Sequence, residues 1–123
     1  MKLDKYQQAV TDCNVNAVVS AGAGSGKTTV LARRFMRLIA EERADVSEIL
    51  TLTFTRKAAA EMNERIYNLL LENNSSRAIE RAISEFDKSA ISTLDSFCLK
   101  IARDCCSSFG IPQSFRTDEA AVR

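Results

Sequence analysis

The residues best suited to chemistry stand together near the amino terminus: Ala21, Gly22, Ala23, Gly24, Ser25, Gly26, Lys27 and Thr28. The run fits the phosphate-loop pattern G-x-x-x-x-G-K-[ST], with Ala21 in the first glycine position. Small residues let successive backbone N–H groups converge on phosphate oxygens, and a helix starting near Lys27 adds the positive end of its dipole. In that arrangement Lys27 bridges the β- and γ-phosphates and the Thr28 hydroxyl reaches Mg²⁺. Thr29 closes the candidate nucleotide-binding run, although as a helix residue it needs no role of its own. The bland alternative is a tight turn that binds nothing. An apolar run before the loop and an amphipathic one after it favour the phosphate site.

Two further junctions have similar character. Thr53, Phe54, Thr55, Arg56 and Lys57 offer two hydroxyls, an aromatic ring and two cations at the start of a second helical segment. Phosphates take hydroxyl and amide contacts while a base stacks on an aromatic face, so the set suits single-stranded nucleic acid. The residues alone equally allow Phe54 to be a core side chain and the cations a solvated turn. Thr93, Leu94, Asp95, Ser96 and Phe97 repeat the theme with an anion in place of the cations. On their own they read as helix capping by Thr93 or Asp95.

The elements that must position these residues follow from periodicity. Residues 17–20 (AVVS), 49–55 (ILTLTFT) and 90–93 (AIST) are short β-type runs, each leading into an amphipathic stretch, as in βαβ units with a parallel sheet. A helix is expected from Lys27 to about Glu42, with Val30, Leu31, Arg34, Phe35, Leu38 and Ile39 on its inner face and Arg33 and Arg37 pointing away. Another spans residues 57–71, striped by Ala59, Met62, Ile66, Leu69 and Leu70. A shorter one covers residues 77–87. A last one covers 95–107, with Phe97, Cys98, Ile101, Ala102 and Cys105 inward, ended by Gly110 and Pro112. The expected fold class is thus helix-rich α/β with three short parallel strands and flanking helices, all three junctions opening on the carboxyl edge where ligands bind.

Composition narrows the chemistry. Of 123 residues four are Gly and one is Pro, and three of the glycines lie in the loop at 22–26. Backbone permissiveness is therefore concentrated at one place. There is no histidine, which excludes Ser/His and Cys/His catalysis and mixed Cys/His zinc sites. Cys13, Cys98, Cys105 and Cys106 show no C-x-x-C spacing and read as reduced thiols in a cytoplasmic protein. The net charge of +1 gives no global sign of nucleic-acid binding. No apolar leader or 18-residue apolar stretch is found, so no membrane partner is expected.

Taken together the three junctions resemble those of superfamily 1 DNA helicases of the UvrD/Rep type, and more closely the RecB/AddA branch of helicase-nuclease motor subunits. Residues 3–10 (LDKYQQAV) are similar to the Q motif, whose glutamine reads adenine; counting from Leu3 selects Gln7, with Gln8 the alternative. AGAGSGKT is the usual form of that family's phosphate loop. Residues 51–66 (TLTFTRKAAAEMNERI) resemble motif Ia almost letter for letter, with Arg56 where Asn is common. Residues 91–98 (ISTLDSFC) resemble the T-x-H-S-F motif that touches single-stranded DNA, and 111–121 (IPQSFRTDEAA) a segment preceding a helical insertion. Asp95 stands where many relatives have His, which shifts its role from DNA contact toward helix capping.

The resemblance implies a RecA-like P-loop NTPase fold, of which residues 1–123 are the N-terminal part of the first ATP-binding motor domain, ending before the acidic Walker B pair. It implies ATP and Mg²⁺ as cofactors and DNA as partner, together with the rest of a helicase chain and a second helicase-nuclease subunit in repair and recombination. Lys27 and Thr28 would carry the triphosphate chemistry. Gln7 would read the base, and Phe54, Thr55, Arg56, Thr93 and Ser96 would line the DNA track. The 123 residues alone are expected to bind ATP weakly and to hydrolyse essentially none. Two other readings stay open on the residues themselves: a small P-loop kinase, and a non-catalytic nucleic-acid-binding module.

Overall fold

In the computed structural model, residues 2–24 and 26–117 are described. Ser25 and the final residues of the 111–121 segment lie outside them. Among the described residues five α-helices and two strands follow in the order α1 (Lys5–Asp12), α2 (Lys27–Ala40), β1 (Leu50–Thr53), α3 (Arg56–Glu72), α4 (Arg77–Ser84), β2 (Ala90–Thr93) and α5 (Leu94–Cys105). Single 3-10 turns occupy Val46–Glu48, Phe86–Lys88 and Cys106–Phe109. The core is where the stripes of three helices meet. Ala32, Phe35 and Ile39 of α2 pack with Met62, Ile66 and Leu70 of α3 and Ile79 and Ala82 of α4, closed by Val46. Ile66 and Leu70 are essentially fully buried, so Leu70→Ala is expected to cost about 2–5 kcal/mol in denaturant unfolding. A loss well under that range would mean that the α2–α3 seam does not hold the fold.

β1 and β2 pair in parallel, with Leu50 opposite Ala90 and Thr53 opposite Thr93. The connection between them runs through α3 and α4, as a parallel pair requires. This register brings the carboxyl ends of both strands side by side, so α3 and α5 start from neighbouring points on one edge.

Three sequence expectations are corrected here. Residues 17–20 form no strand: among the described residues the sheet has two strands, and Val18 and Val19 are 102% and 50% exposed. An apolar run becomes a strand only when another strand supplies its ladder hydrogen bonds, and none of the described residues does so. The face of α5 formed by Cys98, Ile101, Ala102 and Cys105 is exposed rather than inward, because no described element covers it; only Phe97 is half-buried. Arg37 does not point away from the protein. Its side chain is 14% exposed and lies against α1, which the hydropathy pattern leaves unassigned.

The helix ends are set by local chemistry. Ser76 caps α4 by accepting from the Ile79 amide. Gly110, at φ +70°, ends the last 3-10 turn in the left-handed conformation that costs glycine nothing.

Candidate nucleotide and nucleic-acid site

The glycine-rich loop delivers its residues to the start of α2. Gly24 and Gly26 have φ of +76° and +78°, a conformation that side chains with a Cβ resist. Around Gly22 and Gly24 a Cβ would meet nothing within 4 Å, so the space over the loop is open. Gly26 is the N-cap of α2 and offers no side-chain acceptor, which leaves the first-turn amides aimed at whatever anion approaches. Lys27 folds back over the loop, its Nζ donating to the Ala21 carbonyl at 3.1 Å. Thr28 is exposed on the same turn.

α1 is built by a capping box. The Asp4 carboxylate accepts from the amides of Tyr6 and Gln7, each at 2.8 Å, while the Asp4 amide donates to Gln7 Oε1 at 3.0 Å. The D-x-x-Q spacing is the sequence signal for this helix. With its Oε1 so held, Gln7 brings Nε2 to 2.9 Å from the point where a Cβ on Gly26 would stand. Gln8 is exposed, and its Nε2 donates to Asp12 along its own helix at 2.7 Å. Gln7, not Gln8, thus faces the loop. A recess of about 440 Å³ opens between them, walled by Tyr6, Gln7, Val10, Val19, Val30 and Leu31, with Lys27 also lining it. The mostly apolar wall also carries the Gln7 amide, the Lys27 ammonium, Ser20 and the Asp4 carboxylate, the last already engaged by the amides of Tyr6 and Gln7. Such a lining suits a small ligand with an apolar body and polar groups.

These residues fit a nucleoside triphosphate: a left-handed glycine nest, helix amides, a lysine and a neighbouring recess for a flat ring. For Mg²⁺ the chain offers the Thr28 hydroxyl. Among the described residues no group of three or more His, Cys, Asp or Glu could hold a metal.

At the second junction Phe54 is 90% exposed, which removes the reading of it as a core residue. Thr55 is the N-cap of α3, accepting from the Ala58 amide at 3.1 Å, and Thr53 Oγ1 donates to the Thr55 carbonyl at 3.1 Å. Arg56 and Lys57 are exposed beside them. At the third junction Thr93 is 7% exposed. Its hydroxyl accepts from the Ser96 amide at 3.1 Å and donates to Ser96 Oγ at 2.8 Å. Thr93 is therefore the cap of α5 and orients Ser96, instead of presenting its own hydroxyl to a ligand. Asp95 lies exposed in the first turn of α5, where a carboxylate favours the helix dipole, but the cap itself is Thr93.

The link between the phosphate loop and these junctions comes from a residue that sequence reasoning missed. Arg65 of α3 donates through Nη1 to Thr29 Oγ1 at 2.7 Å, tying the first turn of α2 to the helix that Phe54 and Arg56 begin. Thr29 thus has a structural partner, and the two residues lie 36 positions apart, beyond any local pattern. A second recess, about 480 Å³, lies at the other end of α2 between Ile39–Glu48 and Arg77–Glu85. Several of its charges are already paired: Arg81 with Asp45 and Glu85, and Lys88 with Glu85. The Lys88 hydrogen bond holds the Glu85 carboxyl below the usual range.

The chain has recognisable relatives among known proteins. Residues 3–121 match the family model described as UvrD/REP helicase N-terminal domain. It is 41% identical over 119 residues to an ATP-dependent helicase/nuclease subunit of Clostridium botulinum (strain Loch Maree / Type A3), covering 92% of this chain and 9% of that protein. It is 37% identical over 126 residues to the protein of that name from Clostridium acetobutylicum, covering 97% and 10%. The Acetivibrio thermocellus protein of the same name is 39% identical over 127 residues, covering 98% and 10%. The chain spans about a tenth of the length of these relatives. No helix among the described residues is long and apolar enough to cross a membrane. The match along nearly its whole length, with the glycine nest, Gln7 and the paired strand ends in one arrangement, means that this chain belongs to the UvrD/REP helicase N-terminal domain family.

Proposed function

We infer that the chain binds ATP and contacts single-stranded DNA as the nucleotide-binding part of an ATP-dependent DNA helicase, the motor of a helicase-nuclease acting in DNA repair and recombination in the cytoplasm. The observation that carries this reading is the approach of Gln7 to Gly26, which joins a base-reading amide to a phosphate loop. Backbone amides of residues 22–28 and Lys27 would hold the triphosphate, Thr28 would hold Mg²⁺, and Gln7 would pair with the adenine edge. Magnesium, when bound, would supply charge neutralisation to the triphosphate. The Arg65–Thr29 hydrogen bond offers a path by which the state of the loop is felt at α3. There Phe54 stacks a base while Thr55, Arg56 and Ser96 take phosphates, with Thr93 behind Ser96. The remainder of the motor, and a second subunit, would complete the DNA track.

Phe54→Ala tests the DNA half. Base stacking on an aromatic ring is worth about 1–3 kcal/mol, so affinity for a labelled single-stranded oligonucleotide is expected to fall about 5- to 150-fold. Thermal stability should stay put, because the ring is 90% exposed. Unchanged oligonucleotide binding would remove this junction from the track. Binding that ignores both ATP and Lys27→Ala would identify a passive nucleic-acid module instead.

A further inference from the structure

α1 carries Gln7 yet has little of its own to keep it in place. It has eight residues, one of them buried, and no basic residue in its last turn. A helix this short is not stable alone, and its last carbonyls have no donors within the helix. Two of those carbonyls are met from α2. Arg34 Nη1 donates to the Val10 carbonyl at 2.7 Å, and Arg37 Nη1 to the Thr11 carbonyl at 2.8 Å. Arg37 Nη2 also donates to Asn14 Oδ1 just beyond the helix, an oxygen that Arg43 Nη1 shares at 3.0 Å. Glu41 holds the group from behind, 2.8 Å from Arg37 Nε and 3.0 Å from Arg43 Nε. Its hydrogen bond to Arg37 keeps the Glu41 carboxyl below the usual range against an opposing desolvation cost. With the Arg37 side chain 14% exposed, this is a packed contact and not a loose surface pair.

We propose that Arg34 and Arg37 are positioning residues for base recognition, docking the carboxyl end of α1 on α2 so that Gln7 is held against Gly26. The proposal rests on the reading of Gln7 as the base-contacting residue. A short helix has a defined orientation only when it is fixed at two points. One is the capping box and Gln7 at the amino end; the other is the pair of guanidinium groups on the last carbonyls, where positive charge also suits the dipole. If the second point is lost, α1 swings or frays and the Gln7 amide leaves its place. Lys27 belongs to α2 and the loop ends on its N-cap Gly26, so both stay. The damage therefore falls on the base and spares the phosphates, a split that general destabilisation does not produce.

The test measures dissociation constants for ATP, GTP and inorganic tripolyphosphate with the unaltered protein and with Arg34→Ala, Arg37→Ala, Arg37→Lys and Gln7→Ala. Loss of a charge-assisted contact predicts that Arg37→Ala weakens ATP about tenfold and erases its advantage over GTP, while tripolyphosphate changes less than about twofold. Arg37→Lys, which keeps the charge without the forked donors, should fall between. Equal losses for ATP and tripolyphosphate, or no loss of ATP, would overturn the proposal. Should Gln7→Ala leave the ATP-to-GTP ratio unchanged, the base-reading role of Gln7 fails on its own. Docking is then judged by amide hydrogen exchange in Arg37→Ala. Faster exchange at residues 8–12 with α3 unaltered supports it, and unaltered exchange in α1 overturns it.

Discussion

Lys27→Ala is expected to weaken ATP binding about 10- to 150-fold, because it removes a charge-assisted hydrogen bond worth about 1.5–3 kcal/mol. The fold should hardly notice. Lys27 is exposed and bonds the Ala21 carbonyl, and surface changes of that kind stay within about 0.5 kcal/mol. Calorimetric or fluorescence titration with ATP, beside a denaturant curve, separates the two effects. Lys27→Arg keeps the charge but swaps a compact ammonium for a wide fork, so it should recover only part of the affinity. If Lys27→Ala binds ATP as the unaltered protein does, the triphosphate does not sit on the loop.

The second large effect is expected at Gly26. An alanine there faces two costs at once. Its φ of +78° disfavours any Cβ by roughly 1–2 kcal/mol, and the new methyl would stand 2.9 Å from Gln7 Nε2. A glutamine tip is flexible in general. This one is tied by Oε1 to the Asp4 amide, so moving it loosens the capping box of α1. Gly26→Ala should therefore lower stability by about 1–3 kcal/mol and lose ATP affinity as well. Gly24→Ala shares the positive φ but meets nothing within 4 Å, and should show the smaller stability loss of the two. Equal losses at both positions would mean that the contact with Gln7 carries no weight.

Much of this arrangement was legible from residue order. The Gly-rich loop announced itself by composition, and α2, α3 and α4 by stripes that converge on the observed core at Phe35, Ile66 and Leu70. The β1 and β2 runs, each followed by a helix, gave the parallel pair. The misreadings have one cause, which is that periodicity finds an amphipathic face without saying what covers it. Residues 17–20 look like a strand, but a strand is a relation between two segments. Cys98, Ile101 and Cys105 make a proper inner stripe on α5 that no described element meets. β1 shows the same thing in reverse: Leu50 and Leu52 are exposed at 46% and 37%, while Thr51 and Thr53 are partly covered.

The site shows the other limit. Gln7 and Lys27 are 20 positions apart and were connected only by resemblance. The hydrogen bonds that fix their relation, Arg37 to Thr11 and Arg34 to Val10, span 26 and 24 positions and use backbone acceptors that no side-chain motif records. Arginine on a helix surface reads as solvated, and a carbonyl at the end of another helix turns it inward. Thr93 illustrates a milder case. Its type suited a phosphate contact, and its position at the head of α5 uses the hydroxyl for the cap instead.

The most direct measurement is an amide-resolved NMR titration of the protein with Mg²⁺-ATP. The expected result is that the largest shifts fall on residues 22–28 and on Gln7, with smaller ones at Thr29 and Arg65 across the hydrogen bond that joins α2 to α3. Shifts confined to the recess between Ile39–Glu48 and Arg77–Glu85, or a response at the loop with none at Gln7, would contradict the joining of base and phosphate recognition at Gly26.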